Sequence, residues 1–218
     1  MTGDHDYTIH FKAINKETFI SVGYLEDDLQ GLALTMIYGK YDDIWRLNIL
    51  QIGLLDIENK DAIDWYRQAQ ENFNKGNLVD AALNFTLVSQ CLKPANQLWQ
   101  YGLESEINDF GQKVNQEVKK AYSFPIAVES IKSRPQIFRV FPQGMSEGFH
   151  PSVYYVTTLN ISDTTALSKE CTEIHNNIGQ VFTGLGQDKK YIFYRAFERL
   201  PINNEEVNNY GFLREGEK

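Results

Sequence analysis

The first part of the chain alternates between apolar and polar residues, as half-buried strands do. Short runs rich in β-branched and aromatic residues are separated by turns that carry Gly, Asp and Asn. The runs lie at 7–11, 18–22, 32–38 and 44–52, and they predict an antiparallel sheet of about four strands. In the fourth run Trp45, Leu47 and Ile49 fall on one face by strict alternation. This face is apolar, so we expect other elements to cover it.

The spacing of apolar residues changes from strand-like to helical after Asp61. Three apolar stripes with helical spacing follow, the first two separated by Lys75-Gly76-Asn77 and the second ended by Pro94. Helices with short connections pack as antiparallel neighbours. The sequence therefore predicts a three-helix segment that covers the N-terminal sheet.

A smaller α/β unit is predicted downstream. Residues 130–135 are polar and contain Pro, as linkers often do. Strands follow at 136–141, 153–159 and 191–197. Before the last strand, Ser162-Asp163 offers an N-cap for a helix. Its apolar stripe consists of Leu167, Cys171, Ile174, Ile178 and Phe182.

These patterns predict an α+β fold with an N-terminal antiparallel sheet, a central three-helix segment and a C-terminal β-β-α-β layer. The expected regions are the sheet at 1–60, the helices at 61–123, the β-β-α-β unit at 136–202 and a flexible polar tail at 203–218.

The helical hairpin between residues 65 and 94 resembles a single tetratricopeptide repeat. The family's large, small, aromatic and Gly positions are matched by Trp65, Ala69, Phe73, Gly76, Leu78, Ala81 and Phe85. Val88 stands where the family prefers Ala, and Pro94 is one residue late. Trp99 follows Trp65 at the repeat length, so a further helix is expected to begin there, but a second full repeat does not follow. The resemblance implies a hairpin that packs on the β layers, or a peptide-binding groove with Trp65 and Trp99 as binding residues.

The N-terminal sheet bears a second resemblance, to the curved sheet of nuclear-transport-factor-2-like domains. The long hairpin at 32–52 carries an aromatic residue, Trp45, early in its last strand, as these domains often do. The resemblance implies a cavity between the sheet and its covering helices. In that family helices usually precede the sheet, and none is predicted before it here, so shared β-strand chemistry is the alternative explanation.

Charge and composition restrict the partners. The net charge is -8, from 21 basic and 29 acidic residues, and basic residues form only pairs such as Lys119-Lys120. Nucleic acids and anionic membrane surfaces are therefore not expected partners. The chain lacks an apolar run long enough to span a membrane, so we expect a soluble protein without membrane insertion. Its oligomeric state is left open.

Localisation and redox state are also left open by the sequence. The N-terminus lacks the basic and apolar regions of a signal peptide, which favours the cytoplasm, but export after removal of an upstream signal is an alternative. Cys91 and Cys171 fit two reduced core thiols or one disulfide. Metal-binding cysteine spacing is absent, so neither a metal nor a cofactor is expected.

One loop carries a set of residues that could support catalysis. Ser146, Glu147 and His150 lie within a Gly/Pro-containing stretch at 142–151, and together they could perform nucleophilic chemistry. A nucleophile elbow does not surround Ser146, so a plain connecting loop is the alternative.

The other three histidines are not expected to form a functional site. His5 lies in Asp4-His5-Asp6, where adjacent residues converge poorly on one metal ion, and is expected to be a surface residue. His10 is expected on the polar face of its strand, and His175 is expected to face solvent beside its helix's apolar stripe.

Two classes of function follow. The first is a non-catalytic binding or scaffolding protein that holds a protein or small molecule in its helical hairpin or in a sheet–helix cleft. The second is a hydrolase-type enzyme with a site near His150. The absence of a catalytic motif favours the first class.

Overall fold

The computed structural model describes residues 3–27, 29–146, 148–185, 187, 189–203 and 205–216. The α-helices among these residues are α1 Ala62–Asn74, α2 Leu78–Cys91, α3 Glu104–Ala121 and α4 Thr164–Val181, and a short 3-10 helix spans Asn96–Leu98. The strands are β1 Tyr7–Ile9, β2 Thr18–Glu26, β3 Gln30–Tyr41, β4 Ile44–Ile57, β5 Lys60–Asp61, β6 Trp99–Tyr101, β7 Ile126–Ala127, β8 Gln136–Met145, β9 Gly148–Val156, β10 Tyr191–Phe197 and β11 Asn209–Glu215. The α+β class predicted from the sequence is confirmed.

The chain divides into two compact units. The first contains residues 1–68 and 84–112, and the second contains residues 69–83 and 113–218. Helices α1, α2 and α3 each contribute residues to both units. The helical segment expected at 61–123 is therefore not a region of its own, because its helices are shared between the units.

The first unit contains a four-stranded antiparallel sheet in the order β2-β3-β4-β5. Four of the five buried positions along β3 carry small residues, namely Gly31, Ala33, Thr35 and Gly39, and the fifth carries Ile37. Small side chains let another backbone approach closely. At Gly53 of β4, a Cβ atom would collide with the carbonyl oxygen of Pro94. The segment after α2 thus lies directly against this small-residue face.

The opposite face of the same sheet is apolar and largely exposed. Register pairs Phe19 with Tyr38 and Tyr38 with Leu47, which places these side chains on one face. A register shift after Ile37 pairs Ile37 with Ile49. The prediction that Ile49 shares a face with Trp45 and Leu47 is therefore wrong, because an extra residue in β4 reverses the alternation. The expected helical cover is also wrong for this face, since its large side chains remain exposed.

The two predicted helices of the hairpin form with their expected boundary. The amide of Asn77 donates to the carbonyl of Asn72 (2.9 Å), and that of Gly76 donates to Phe73 (3.0 Å). Gly76 has a φ of 80°. This pair of bonds around a left-handed glycine is the Schellman helix ending that the sequence suggested.

Trp99 does not begin a helix. Instead it begins β6, which pairs antiparallel with β1 through Ile9 opposite Trp99 and Tyr7 opposite Tyr101. The expectation of a helix at this position is corrected, because the three-residue pairing with β1 fixes an extended backbone. Helix α3 begins after it, with acidic residues in its first turn and Lys119 and Lys120 in its last, which suits the helix dipole.

The second unit packs a mixed five-stranded sheet, in the order β11-β10-β9-β8-β7, with α4. β9 and β10 are parallel, and α4 connects them. Asp163 caps α4 by accepting a hydrogen bond from the amide of Ala166 at 2.9 Å. All five residues of the predicted stripe are buried, namely Leu167, Cys171, Ile174, Ile178 and Phe182. This helix and its apolar face are therefore as predicted.

Three expectations for the second unit are corrected. Strands β8 and β9 extend through most of the stretch 142–151 that was expected to be a loop. The segment 130–135 is not a free linker, because Ile131 is buried in the core. The expected tail at 203–218 contains β11, which pairs along β10 with Phe212 against the core. Scattered charges and Gly211 hid its strand pattern in the sequence.

No helix in the described part of the chain is both long enough and apolar enough to cross a membrane.

Candidate functional site

The first unit contains a cleft of about 440 Å³ between the small-residue face of its sheet, strands β1 and β6, and the start of α1. We call it the sheet–helix cleft. Its aromatic lining consists of Tyr7, Trp99, Tyr101 and Tyr24. Its ionisable lining consists of His5, Asp56, Asp61 and Asp64.

Three aromatic rings form one side of the cleft. Tyr7 stacks on Trp99 with ring centroids 3.7 Å apart, and Tyr101 meets Trp99 edge-on at 5.9 Å. Trp99 is 1% exposed, whereas Tyr7 is 44% exposed. Burial, and then the nearby Asp61 carboxylate, raise the pKa of the Tyr101 hydroxyl. The side therefore combines a fixed buried indole with an accessible phenol ring.

The start of α1 supplies two carboxylates through a reciprocal capping arrangement. Asp61 Oδ1 accepts hydrogen bonds from the amides of Ile63 (2.8 Å) and Asp64 (3.1 Å). Asp64 Oδ2 in turn accepts one from the amide of Asp61 at 3.4 Å. These bonds satisfy amides that a helix start leaves without partners. Both carboxylates therefore hold the helix end and also face the cleft.

His5 joins this acidic corner from the N-terminal segment. Its Nδ1 lies 2.8 Å from Asp61 Oδ2, and its Nε2 lies 3.2 Å from Arg67 Nη1. Because a guanidinium can only donate, Nε2 accepts and Nδ1 carries the proton, a tautomer assigned from the partners. Arg67 also donates to Asp4 at 2.7 Å. His5 is thus tied into an ion-pair network and is not an isolated surface residue.

Ligand atoms of His5, Asp61 and Asp64 lie within 4.8 Å of one another, close enough for one metal ion. The sequence suggested Asp4 and Asp6 as partners of His5, whereas the structure brings in two aspartates more than 50 residues away. The capping bonds and Arg67 already engage these three side chains. Their grouping is therefore explained by the helix start, and the sequence-based expectation of no metal stays a prediction.

A hydrogen-bonded pair, the exposed Tyr24 and the buried Asp56, lies on the sheet side of the cleft. Tyr24 donates a hydrogen bond to Asp56 Oδ2 at 2.6 Å, and this bond raises the pKa of Tyr24 to about 12. Gly31 lies opposite Asp56 in the register. A Cβ atom on Gly31 would collide with both the carboxylate and the phenol. A glycine at this position leaves room for the pair.

The two predicted binding tryptophans have different environments. Trp99 lines the cleft. Trp65 is buried, donates its indole N–H to the carbonyl of Ile57 at 3.2 Å, and has Lys60 Nζ 4.4 Å from its ring. Trp65 is therefore a core residue that anchors α1, while Trp99 is a buried part of the cleft wall beneath Tyr7.

The predicted catalytic set lies in the second unit. His150 is buried on β9, with its ring 5.4 Å from Tyr191 and 6.2 Å from Phe193. Ser146 is exposed in the turn between β8 and β9, and Glu147 lies outside the described residues. His150 is thus buried on a strand while Ser146 is exposed in a turn, so these two members of the predicted set have different environments. The hydrolase hypothesis stays a prediction.

The remaining histidines and the two cysteines differ in their burial. His10 is exposed, whereas His175 is half-buried, with its Nδ1 3.0 Å from the Tyr194 hydroxyl, so its expected solvent-facing position is corrected. Cys91 and Cys171 are free and buried. Burial raises the pKa of each thiol to about 12. They are reduced core residues, the first of the two alternatives.

A scan against protein-family models, a search of curated proteins and a search of solved structures each return no match to this chain.

Proposed function

We propose that this chain is a non-catalytic binding protein whose sheet–helix cleft holds a small ligand with an ammonium or guanidinium group. The observation that carries the proposal is the combination of an aromatic side and an acidic corner in one cleft of about 440 Å³. Small-molecule sites commonly have volumes of roughly 300–1,000 Å³ and few polar groups among apolar ones. The cleft has that size and that composition.

Charge favours a cation over an anion. Three carboxylates, those of Asp56, Asp61 and Asp64, line the cleft, and His5 is the basic residue of its lining. The three carboxylates outnumber this single histidine, so the lining carries a net negative charge in either protonation state of His5. The chain as a whole carries a net charge of -8, which adds a field of the same sign.

The aromatic side adds a second attraction for a cation. One face of the Tyr7 ring stacks on Trp99, and the ring remains 44% exposed. A cation over an aromatic face gains about 0.5–2 kcal/mol, depending on how far it is desolvated. Tyr7 is therefore the residue on which we expect an organic cation to lie.

Binding without catalysis is favoured by the state of the ionisable groups. Asp61 and Asp64 hold the start of α1, so a change in their protonation would disturb the helix. Tyr24, with its pKa raised to about 12, is a poor proton donor or acceptor near neutral pH. The groups in the cleft therefore suit fixed recognition better than proton transfer.

The test compares cations with neutral molecules of the same shape. Choline would be titrated against 3,3-dimethylbutanol, and butylguanidinium against butylurea, by isothermal calorimetry. We expect the cations to bind at least tenfold more tightly than their neutral counterparts. Asp56→Asn and Tyr7→Leu should each weaken cation binding by roughly five- to thirtyfold.

A matched variant distinguishes the effect of a cleft carboxylate on cation binding from the effect of the chain's overall charge. Asp43→Asn removes an identical charge from an exposed turn outside the cleft. It should leave cation binding within about twofold of the unaltered chain, because exposed charges are screened over short distances. Equal weakening by Asp43→Asn and Asp56→Asn, or equal binding of the neutral molecules, would contradict the proposal.

A further inference from the structure

The exposed apolar face of the first sheet is wide and continuous. Its outer members are Phe19 and Leu25 on β2 and Trp45, Leu47, Leu50 and Ile52 on β4. Between them on β3 lie Leu32, Leu34, Met36 and Tyr38, which are half-buried. Direct pairing across β3 places all ten side chains on the same face. We call this set the apolar face.

The apolar face is large enough for a stable protein contact. Its six outer side chains are each between 46% and 57% exposed. Large side chains with roughly 200 Å² of surface would then expose on the order of 100 Å² each, or about 600 Å² together. The half-buried residues of β3 bring the total close to the roughly 800 Å² per partner of a standard interface. A monomer rarely exposes a patch of this size without a role for it.

We infer that the apolar face is the contact surface of a symmetric homodimer. Two copies of a chain with net charge -8 repel each other, so they associate best through a surface that brings no charges together. Lys40, at one end of this face, is paired with Glu17 at 2.9 Å, so the two charges offset each other. A second copy presents the same mostly apolar surface, so a twofold contact is self-complementary.

The shape of the face favours another sheet over a single helix. Three strands about 4.8 Å apart, with their side chains, present a surface wider than the single stripe that an amphipathic helix buries. A second sheet can pack about 10 Å away and cover the full width, with strands rotated by about 30°. The second copy supplies such a sheet of identical dimensions.

The two ends of the apolar face complement each other. The end formed by Phe19, Tyr38 and Trp45 is aromatic and borders an open concavity of about 760 Å³, whose rim also carries Lys16 and Glu17. The other end carries the aliphatic residues Leu25 and Leu32. A twofold axis that crosses the strands in the plane of the face brings the aliphatic end of one copy onto the aromatic end of its partner. Aliphatic side chains would then enter the concavity, as anchors do at the centre of stable interfaces.

Sedimentation velocity over a range of protein concentrations tests the inference with two matched variants. Ile52 and Ile44 both lie on β4 and are similarly exposed, at 56% and 60%, but register places them on opposite faces. The unaltered chain and Ile44→Lys should both form dimers. Ile52→Lys should raise the dimer dissociation constant at least tenfold, because an unpaired lysine would be buried in the apolar contact.

A second variant and a tryptophan fluorescence signal distinguish loss of the dimer from misfolding of the variant. Leu25→Lys, also on the apolar face, should weaken the dimer as Ile52→Lys does, while circular dichroism of both monomers stays unchanged. Trp45 is 46% exposed, so its fluorescence should shift to the blue as the dimer forms, and Trp45→Phe should abolish the shift. A monomer at all concentrations, equal effects of Ile44→Lys and Ile52→Lys, or a dimer lost only when the edge strand β2 is altered by Val22→Pro would overturn the inference.

Discussion

The two sheets of the molecule use apolar residues in opposite ways. In the second unit, the sheet turns Ile137, Val153 and Tyr155 toward the core that α4 completes. In the first unit, the covered face of the sheet carries small residues along β3, and the large apolar residues lie on the exposed face. A strand's alternation indicates that its two faces differ. It does not indicate which face the rest of the chain covers.

Backbone proximity explains the difference. The first sheet is approached by the segment at Pro94, whose carbonyl leaves no space for a side chain at Gly53. Close backbone approach requires glycine or alanine, so the positions beside Pro94 carry Gly53 and its strand partner Ala33. The second sheet is approached by the side chains of a helix, which pack against large residues.

The largest expected contrast is between matched leucines of the two units. Leu167→Ala would leave a cavity in the buried core of the second unit and should lower the free energy of unfolding by about 2–5 kcal/mol. Leu25→Ala truncates a side chain that is 54% exposed and should cost less than about 1 kcal/mol in dilute protein. Urea denaturation followed by circular dichroism measures both. Equal losses would mean that the apolar face is packed within the single chain.

Regular elements with one buried stripe were predictable from the sequence. The stripe of α4, the glycine that ends α1 and the end of α3, close to the expected boundary at 123, all follow local rules. The strand β11 and the bulge that moves Ile49 to the other face were not, because both depend on the pairing partner. β6 was mistaken for a helix start because Trp99 follows Trp65 at a repeat spacing, whereas three residues of pairing with β1 decide its conformation.

The next contrast concerns two glycines of the first sheet. Gly53→Ala should cost about 1–3 kcal/mol, because its Cβ would meet the backbone of Pro94 and force one strand or segment to move. Gly23→Ala places its Cβ at 3.6 Å from the Cβ of Leu34, an ordinary contact, and should cost much less. Tryptophan fluorescence during urea unfolding reports the first unit, since all three tryptophans lie there. A similar cost for both would show that space at Pro94 is not what requires the glycine.

The sheet–helix cleft was only partly predictable. Trp99 was a candidate, but its partner Tyr7 comes from the far N-terminus, and Asp56 and Tyr24 come from two different strands. These residues form no recognisable motif in the sequence. Aspartates in particular are common in turns and helix caps, so their presence alone does not indicate a site. Gly31, opposite Asp56 in a strand run, was the one available signal of a close approach.

A smaller effect is the pH dependence of stability that comes from Asp80, a buried acid of the second unit. Asp80 is 2% exposed and pairs with Lys189 at 3.0 Å, yet burial outweighs this partner and raises the pKa of Asp80. A raised folded-state pKa gives stability that is fully present below the unfolded pKa of about 3.9 and is lost as the pH rises through the folded value. The stability of the unaltered chain relative to Asp80→Asn should therefore fall as the pH rises from about 4 to 7.

Lys189→Met sharpens this measurement. Because Lys189 lowers the pKa of Asp80, its removal should move the fall in stability to higher pH and deepen it. Urea unfolding at several pH values measures the effect. If the relative stability instead rises with pH, the ion pair outweighs burial and the sign of the shift is wrong.

The smallest expected effect lies in the cleft and changes a titration rather than the fold. The hydrogen bond to Asp56 raises the pKa of Tyr24 to about 12, so the ultraviolet titration difference between the unaltered chain and Tyr24→Phe should contain one tyrosine of that pKa. In Asp56→Asn the acceptor is neutral, and Tyr24 should titrate closer to the ordinary value of about 10. The stability linked to this group is present below the unfolded value and is lost only as the pH rises through about 12. This stability is therefore fully present and constant near neutral pH, whereas the contribution of Asp80 changes with pH there. A Tyr24 titration unmoved by Asp56→Asn would mean that the pair is not formed, and the acidic side of the cleft would then be open to solvent.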